Sequence, residues 1–236
     1  LQISPESHDE RIRKAFGRPY DNSSLNKFVD KVLSSQIERL DLYFMIGLPF
    51  QTVESSLSTV VFIEGLYSGL PRGEEKKLDF FISPLAPFID PGSKVFLDPG
   101  RYGYKLFYRT FGEHLEAEDR ARTWRDLLNY ETSWMRREDL VRVTYEVAAR
   151  SLELKSRLGL LSAEIGKRKA EIVRSLPKLE EAVREKKLDL NLGPSRETVE
   201  EADLYPNLGL WASLVRPNFL KLFLKAALPL RARCHE

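Results

Sequence analysis

The amino-acid sequence predicts an α/β fold in which short parallel strands alternate with helices. In residues 1–110, short apolar runs recur, and each run ends at a Gly, Pro or Ser cluster. Segments with apolar residues at helical spacing lie between these runs. Strands that alternate with helices in this way form a parallel sheet with right-handed crossovers. The pattern therefore predicts either an open doubly wound sheet or part of a barrel.

The composition is that of a folded protein in a reducing compartment. Hydrophobic residues make up 42% of the 236 residues, which is enough apolar surface to offset the entropy of ordering the chain. The single cysteine, Cys234, cannot form an intrachain disulfide. The longest charge-free stretch near the start, Leu42 to Val53, is too short for a membrane-spanning helix. We therefore expect a cytoplasmic protein without a transmembrane segment, and the formal net charge of +2 predicts no nucleic-acid partner.

The first predicted strand, Leu1 to Ile3, ends at Ser4-Pro5-Glu6-Ser7. The sequence that follows, to about Ser35, predicts two helices separated by Gly17-Arg18-Pro19. Ser7 and Glu10 have the spacing of a capping box for the first of these helices. For the second helix, Ser23 or Ser24 is the predicted N-cap.

Two further strands are predicted, with a helix between them. Leu40 to Ile46 is nearly all apolar, which is typical of a strand buried on both faces, and it ends at Gly47-Leu48-Pro49. Gln51 to Ser68 predicts a helix, and Leu78 to Ile82 predicts the third strand. The inward positions of that helix are predicted to be Val53, Leu57, Val60, Val61, Ile63 and Leu66.

The pattern changes after Pro99 to a tyrosine-rich connection followed by helical sequence. Ala117 to Met135 and Arg137 to Leu176 contain no proline and are predicted to be helical, with Pro177 interrupting the second stretch. The predicted regions are therefore 1–110, with the strands, a helical extension over 111–176, and a helical or loop region over 177–236.

Polar and glycine-containing segments follow the predicted strands, where ligands gather in both parallel architectures. Ser4, Glu6 and Ser7 are suited to hydrogen-bonding a ribose or an amine, although Ser7 could equally be a helix cap. Gly47 would let the backbone approach a ligand closely, but any strand-to-helix turn could use a glycine and a proline in this way.

Three such segments occur in a fixed order. Ile3–Ser7 is followed by Gly17-Arg18-Pro19-Tyr20, then by Leu42–Pro49, and then by Phe80–Pro87. In order and spacing, they resemble the fourth, fifth and sixth strands of a radical S-adenosylmethionine enzyme, and most closely the members with an upstream cobalamin-binding domain. The resemblance covers about residues 1 to 110 and weakens through the helical region.

The resemblance implies half of a partial (β/α)6 TIM-like barrel with parallel strands, followed by a mainly α-helical extension. It implies a serine and a glutamate in contact with S-adenosylmethionine, an Ile-Gly-Leu-Pro turn against the adenine, and a third segment that closes the far side. The implied cofactor-binding residues are Ser4, Glu6, Ser7, Met45, Ile46, Gly47, Leu48, Pro49, Ser83, Pro84 and Leu85.

The sequence departs from that family in two places. The family holds a 4Fe-4S cluster with the cysteines of a CxxxCxxC loop, which this chain lacks. Phe50 replaces the second glycine of the family's Gly-Leu-Pro-Gly turn, and Gln51 replaces the common glutamate. We therefore expect a carboxyl-terminal fragment that is inactive in isolation, whose partner is a missing N-terminal half with the cluster ligands and any cobalamin domain.

Other interpretations remain open from the sequence. The chain could instead be a noncatalytic binding or scaffold module derived from this fold, and an isolated half barrel could self-associate through its exposed sheet edges. His8 and His114 have no partner at metal-ligand spacing, so no metal site is predicted. The tyrosines of residues 102–108 could stack on nucleic-acid bases or pack against helices, and residues 219–228 could form a membrane-surface helix or a buried one.

Overall fold

The computed structural model describes residues 1–71, 73–84 and 89–185. Within them, a three-stranded sheet contains β1 (Gln2–Glu6), β2 (Leu40–Ile46) and β3 (Leu78–Pro84) in that order. Both strand pairs are parallel. The prediction of an α/β fold with a parallel sheet is therefore confirmed.

Helices connect these strands, as the spacing of apolar residues predicted. They are α1 (Glu10–Ala15), α2 (Asn22–Leu33) and α3 (Val53–Ser68). The predicted serine caps are wrong, because the side chains of Asp9 and Asp21 accept the first backbone N–H groups of α1 and α2. Each carboxylate stands directly before the first residue of its helix, and it carries a charge that favours the helix N-terminus.

The core lies between the helices and one face of the sheet. Phe44 contacts Phe62 of α3, and Phe80 contacts Tyr67 of the same helix. The strand residues that point to this side are almost fully buried, namely Leu40, Leu42, Phe44, Ile46, Leu78 and Phe80. Burial of this many large apolar side chains is the main source of the fold's stability.

The opposite face of the sheet is only partly covered in the described residues. Tyr43 and Phe81 stack there with ring centroids 5.0 Å apart, and both are half-buried. Met45 on the same face is also half-buried. The expectation that β2 is buried on both faces therefore holds for one face and only in part for the other.

The buried stripe of α3 differs from the prediction at Val61, which is 66% exposed. Val60 and Ile63 are buried together with Leu66 and Tyr67. These positions recur every three or four residues, and Val61 lies about 100° around the helix from Val60. The inward assignment of Val61 was wrong for this reason.

The region after the sheet contains a small hairpin that was not predicted. After α4 (Lys94–Leu97), strand β4 (Tyr104–Leu106) pairs antiparallel with β5 (Tyr130–Thr132). The helices α5 (Phe111–Arg120) and α6 (Trp124–Leu127) lie between them in sequence. The prediction of continuous helix from Ala117 to Met135 was therefore wrong, because it counted apolar spacing and missed the strand preference of the segment around Tyr130.

Two long helices complete the described part of the chain. They are α7 (Arg137–Arg157) and α8 (Ala163–Arg184). Pro177 lies inside α8, so the predicted interruption there is wrong. A proline removes one backbone hydrogen bond from a helix, and here the helix continues past it. No helix among the described residues has the length and apolar character needed to cross a bilayer.

The chain forms two compact units. Residues 1–106 and 130–177 form the first, and the described residues of the second are 107–129 and 178–185. The parallel sheet, the hairpin, α7 and most of α8 belong to the first unit. Residues 186–236, with the basic apolar segment at 219–228 and Cys234, lie outside the described residues, as does Leu85.

Candidate functional site

The carboxyl ends of the three parallel strands meet at one edge of the sheet. Met45 of β2 is in register with Ser83 of β3, and Ile46 with Pro84. Glu6, the last residue of β1, is in register with Phe44. The structure therefore brings the three segments predicted from the sequence to the same edge.

Glu6 has the features of a ligand-binding carboxylate. The residue is 3% exposed, and its backbone has a φ of 69° in the left-handed region. One carboxylate oxygen, Oε1, lies 3.2 Å from the guanidinium of Arg18, whereas Oε2 is buried without a hydrogen-bond partner among the described residues. Burial raises the pKa of Glu6, and Arg18 opposes that shift. Strain of this kind costs about 1–3 kcal/mol and is typical of functional sites.

Arg18 connects the first strand to the loop between α1 and α2. Its Nη2 pairs with Glu6, and its Nε donates to the Ser4 carbonyl at 3.4 Å. The Arg18 side chain remains 46% exposed, so its positive charge is accessible from solvent. The sequence indicates this residue as part of a helix break and of the Gly17-Arg18-Pro19-Tyr20 segment, without assigning it a contact. Its distance from Glu6 along the chain gives no signal that the two pair.

Arg13 fixes the loop that carries Arg18. The side chain is fully buried, and its Nη2 donates to the His8 carbonyl and to the Asn22 side chain. Its guanidinium lies over the Tyr20 ring at 5.0 Å, and its carbonyl accepts the Arg18 N–H at 2.9 Å. The Nε and Nη1 atoms of Arg13 are buried without hydrogen-bond partners in the described part of the chain.

The other polar residues near the end of β1 are used for structure. Ser7 is fully buried, and its hydroxyl accepts the Asp9 N–H at 3.1 Å. Ser4 is half-buried, and its carbonyl accepts from Arg18. His8 shares a hydrogen bond of 3.0 Å with the Thr59 hydroxyl, and burial lowers its pKa, so it is neutral at pH 7.

The turn after β2 is held by the side chain of Gln51. The Gln51 carbonyl oxygen accepts the N–H groups of Gly47 and Leu48, at 2.7 and 3.1 Å. Its amide nitrogen donates to the Met45 carbonyl at 3.0 Å. Gln51 is fully buried. This glutamine, identified in the sequence only as a replacement, therefore satisfies the polar groups of the strand end.

Two tyrosines of the hairpin cover Gly47. The Tyr104 hydroxyl donates to the Gly47 carbonyl at 2.7 Å, and burial raises the pKa of that tyrosine strongly. Gly47 has a φ of 97°, and a Cβ there would lie 2.7 Å from the Tyr130 hydroxyl. The close approach that the sequence predicted at this glycine is therefore made by a side chain of the same chain. Leu48 and Pro49 are buried as well.

No group of three histidine, cysteine, aspartate or glutamate side chains that could hold a metal ion occurs in the described residues. His8 packs against Phe62, and His114 contacts Tyr108. The chemistry available at the strand ends is that of a carboxylate and guanidinium groups, because Gln51 already accepts the N–H groups of Gly47 and Leu48.

Comparisons with known proteins give no relative. No family model, curated protein or solved structure matches this chain.

Proposed function

We propose that this chain forms the carboxyl-terminal part of a radical S-adenosylmethionine enzyme and binds S-adenosylmethionine at the carboxyl ends of β1, β2 and β3. The observation that carries the proposal is Glu6. Glu6 is a buried carboxylate on strained backbone, and one of its oxygens has no hydrogen-bond partner among the described residues, a combination typical of ligand sites. A ligand that donates a hydrogen bond to Oε2 would supply the missing partner.

The charges around Glu6 fit the polar part of S-adenosylmethionine. Oε2 of Glu6 would accept a hydrogen bond from the ammonium or from a ribose hydroxyl. Arg18, half exposed beside it, would pair with the ligand's carboxylate, for which a guanidinium has the matching geometry. Residues Met45 to Pro49 would lie against the adenine, and the segment from Ser83 to Leu85 would close the far side.

The remaining cofactors would be held by other parts of the protein. Cys234 is the only cysteine, so three thiolate ligands for a 4Fe-4S cluster would come from a preceding half, as would any cobalamin domain. With these groups bound, the whole enzyme would cleave S-adenosylmethionine to a radical or transfer a methyl group through cobalamin. The residues described above would bind and orient the cosubstrate.

Further strands of a partial barrel would add to this sheet beside β1. β1 is an edge strand with no partner on its outer side among the described residues. The face that carries Tyr43, Met45 and Phe81 is only partly covered. An edge and a half-covered apolar face favour the addition of further strands, or association of the isolated chain with itself.

The test is calorimetric titration of the 236-residue chain with S-adenosylmethionine. Glu6→Ala is expected to weaken binding by about tenfold or more, since a hydrogen bond to a charged group contributes about 1.5–3 kcal/mol. Glu38→Gln removes a negative charge from an exposed position and serves as the control. Equal affinity of Glu6→Ala and the wild-type chain, with both folded by circular dichroism, would contradict the site assignment.

A noncatalytic binding or scaffold module is the second candidate. It is favoured by the hydrogen bonds at the end of β2. There, the side chains of Gln51 and Tyr104 bond to backbone groups of Gly47 that a cosubstrate would need. The gene upstream of Leu1 distinguishes the two candidates. A CxxxCxxC motif roughly one hundred residues earlier favours the enzyme. In the enzyme, the complete protein reconstituted with iron and sulfide would show cluster absorption and cleave S-adenosylmethionine.

A further inference from the structure

Phe50, at the end of the turn after β2, has a conformation that an aromatic residue rarely adopts. Its φ is 64°, in the left-handed region, and the residue is 36% exposed. Glycine would adopt this φ without strain, and burial of the ring does not account for the phenylalanine. The side chain is therefore expected to have a use at the surface.

Phe50 contacts two other side chains. The guanidinium carbon of Arg11 is 4.4 Å from the centre of the Phe50 ring. In the second contact, the ring centroids of Phe50 and Trp134 are 4.6 Å apart, and the two rings are tilted by 50°. We call these three contacting side chains the Arg11 stack.

The position of Trp134 in the Arg11 stack depends on Gly103. A Cβ at residue 103 would lie 2.4 Å from the Trp134 ring, so only glycine leaves room for it. The backbone N–H of Trp134 donates to the Thr132 hydroxyl at 3.3 Å. Two unrelated features, a glycine at 103 and a strained backbone at 50, thus maintain one arrangement of side chains.

Arg11 carries the charge of the Arg11 stack. The residue is exposed, and no acidic side chain in the described part of the chain lies at ion-pair distance from its guanidinium. The two acids beside it are engaged elsewhere, because Asp9 caps α1 and Glu10 accepts the Asn22 N–H. A guanidinium held by its face against an aromatic ring keeps its N–H edge free for a carboxylate or phosphate.

We propose that the Arg11 stack binds an oxyanion group of a ligand, a carboxylate or a phosphate, at the carboxyl edge of the sheet. Arg11 is the binding residue, Phe50 orients its guanidinium, and Trp134 supports Phe50. Phe50 directly follows the turn of residues 45–49, and the site would hold the charged end of a small molecule. It does not depend on the function proposed above.

The test is a side-chain NMR titration of the 236-residue chain with inorganic phosphate and, separately, with acetate. Sodium chloride at the same ionic strength is the reference. The Nε–H signal of Arg11 and the indole signal of Trp134 are expected to shift and to saturate. Saturation with phosphate alone assigns a phosphate ligand, and saturation with acetate assigns a carboxylate ligand.

Three variants locate the binding. Arg11→Gln is expected to weaken binding about tenfold or more, because it removes the charged donor. Phe50→Gly is expected to weaken it about threefold, because the guanidinium loses its aromatic surface. Lys14→Gln removes the same charge from an exposed residue of α1 outside the stack and is expected to change affinity by less than about twofold.

Two results would overturn the proposal. Shifts that follow ionic strength without saturating would show that neither anion binds at the Arg11 stack. Equal affinity in Arg11→Gln and the wild-type chain would show that any binding lies elsewhere. If Phe50→Gly binds as tightly as the wild-type chain, the aromatic pair has no part in the site.

Discussion

The two ends of the parallel sheet differ in how their charged side chains are paired and in their backbone conformation. At the amino end, Arg39 pairs with Asp41 at 2.6 Å and with Asp79 at 2.9 Å, and Lys155 of α7 pairs with Asp79 at 2.7 Å. These charges have partners and ordinary backbone conformations. At the carboxyl end, Glu6 has a left-handed backbone and a buried carboxylate oxygen with no hydrogen-bond partner in the described part of the chain.

This difference indicates that the amino end of the sheet stabilises the fold and that the carboxyl end destabilises it. Ion pairs at the amino end tie β2, β3 and α7 together. Strain and unpaired polar atoms at the carboxyl end lower stability, so they persist only where the surrounding structure enforces them. In parallel sheets the carboxyl end is also where ligands bind. The comparison therefore supports the position of the candidate site independently of any resemblance in sequence.

The largest expected effect is that of Gly47→Ala. The new methyl group would collide with the Tyr130 hydroxyl and sit on a φ of 97°, so we expect about 2–4 kcal/mol of destabilisation in urea unfolding. Gly17→Ala is the matched control, because Gly17 has a φ of 84° with no atom within 4 Å of the added Cβ. If Gly47→Ala lowers the free energy of unfolding no more than Gly17→Ala does, the Tyr130 side chain does not pack closely against residue 47.

Asp79→Asn tests the amino end. It leaves Lys155 with a neutral partner and Arg39 with Asp41 as its remaining acidic partner, and we expect about 2 kcal/mol of destabilisation that shrinks at high salt. Glu116→Gln breaks an exposed pair with Arg120 and should change stability by less than about 0.5 kcal/mol. Equal losses of stability in the two variants would show that the ion pairs at the amino end contribute no more than an exposed ion pair does.

Substitution of Glu6 should change the stability by a smaller amount, and the change should depend on pH. Because burial raises its folded pKa above the usual 4.5, the native state holds the proton more tightly than the unfolded state. That contribution is complete below pH 4.5 and is lost as the pH rises through the folded pKa. Glu6→Gln lacks it, so the stability of the variant relative to wild type should increase from about pH 4 to about pH 7. A constant difference across that range would contradict the raised pKa.

The smallest change in stability is expected for Phe50→Gly. Relief of the strained φ and loss of the contacts with Arg11 and Trp134 oppose each other. We expect a net change of less than about 1 kcal/mol in thermal unfolding. A loss above about 2 kcal/mol would show that Phe50 serves the core, and would count against its use in the Arg11 stack.

The sequence predicted the sheet better than it predicted the site. β2 was predicted with its observed bounds, because a short, uninterrupted apolar run between polar clusters is typical of a buried parallel strand. The strand ends were predicted to meet, which follows from parallel pairing. Arg18 and Arg13 were missed as partners in the site, because loop geometry between α1 and α2 decides their contacts.

The errors have a common physical cause in tertiary contacts. Tyr130 belongs to a strand since it pairs with Leu106 and covers Gly47, and neither contact is visible in local spacing. The glycine at 47 indicated a place for a ligand, and its actual neighbour is a tyrosine far later in the chain. The role of Gln51 depends equally on the turn that it closes.

The central claim is that the carboxyl end of the sheet is a ligand site and the amino end is not. Backbone amide NMR of the chain during a titration with S-adenosylmethionine tests it most directly. We expect saturable shifts at Glu6, Arg18 and residues 45–48, with residues 39–41 and Asp79 unchanged. Shifts confined to the amino end, or no saturable shifts at all, would contradict the claim.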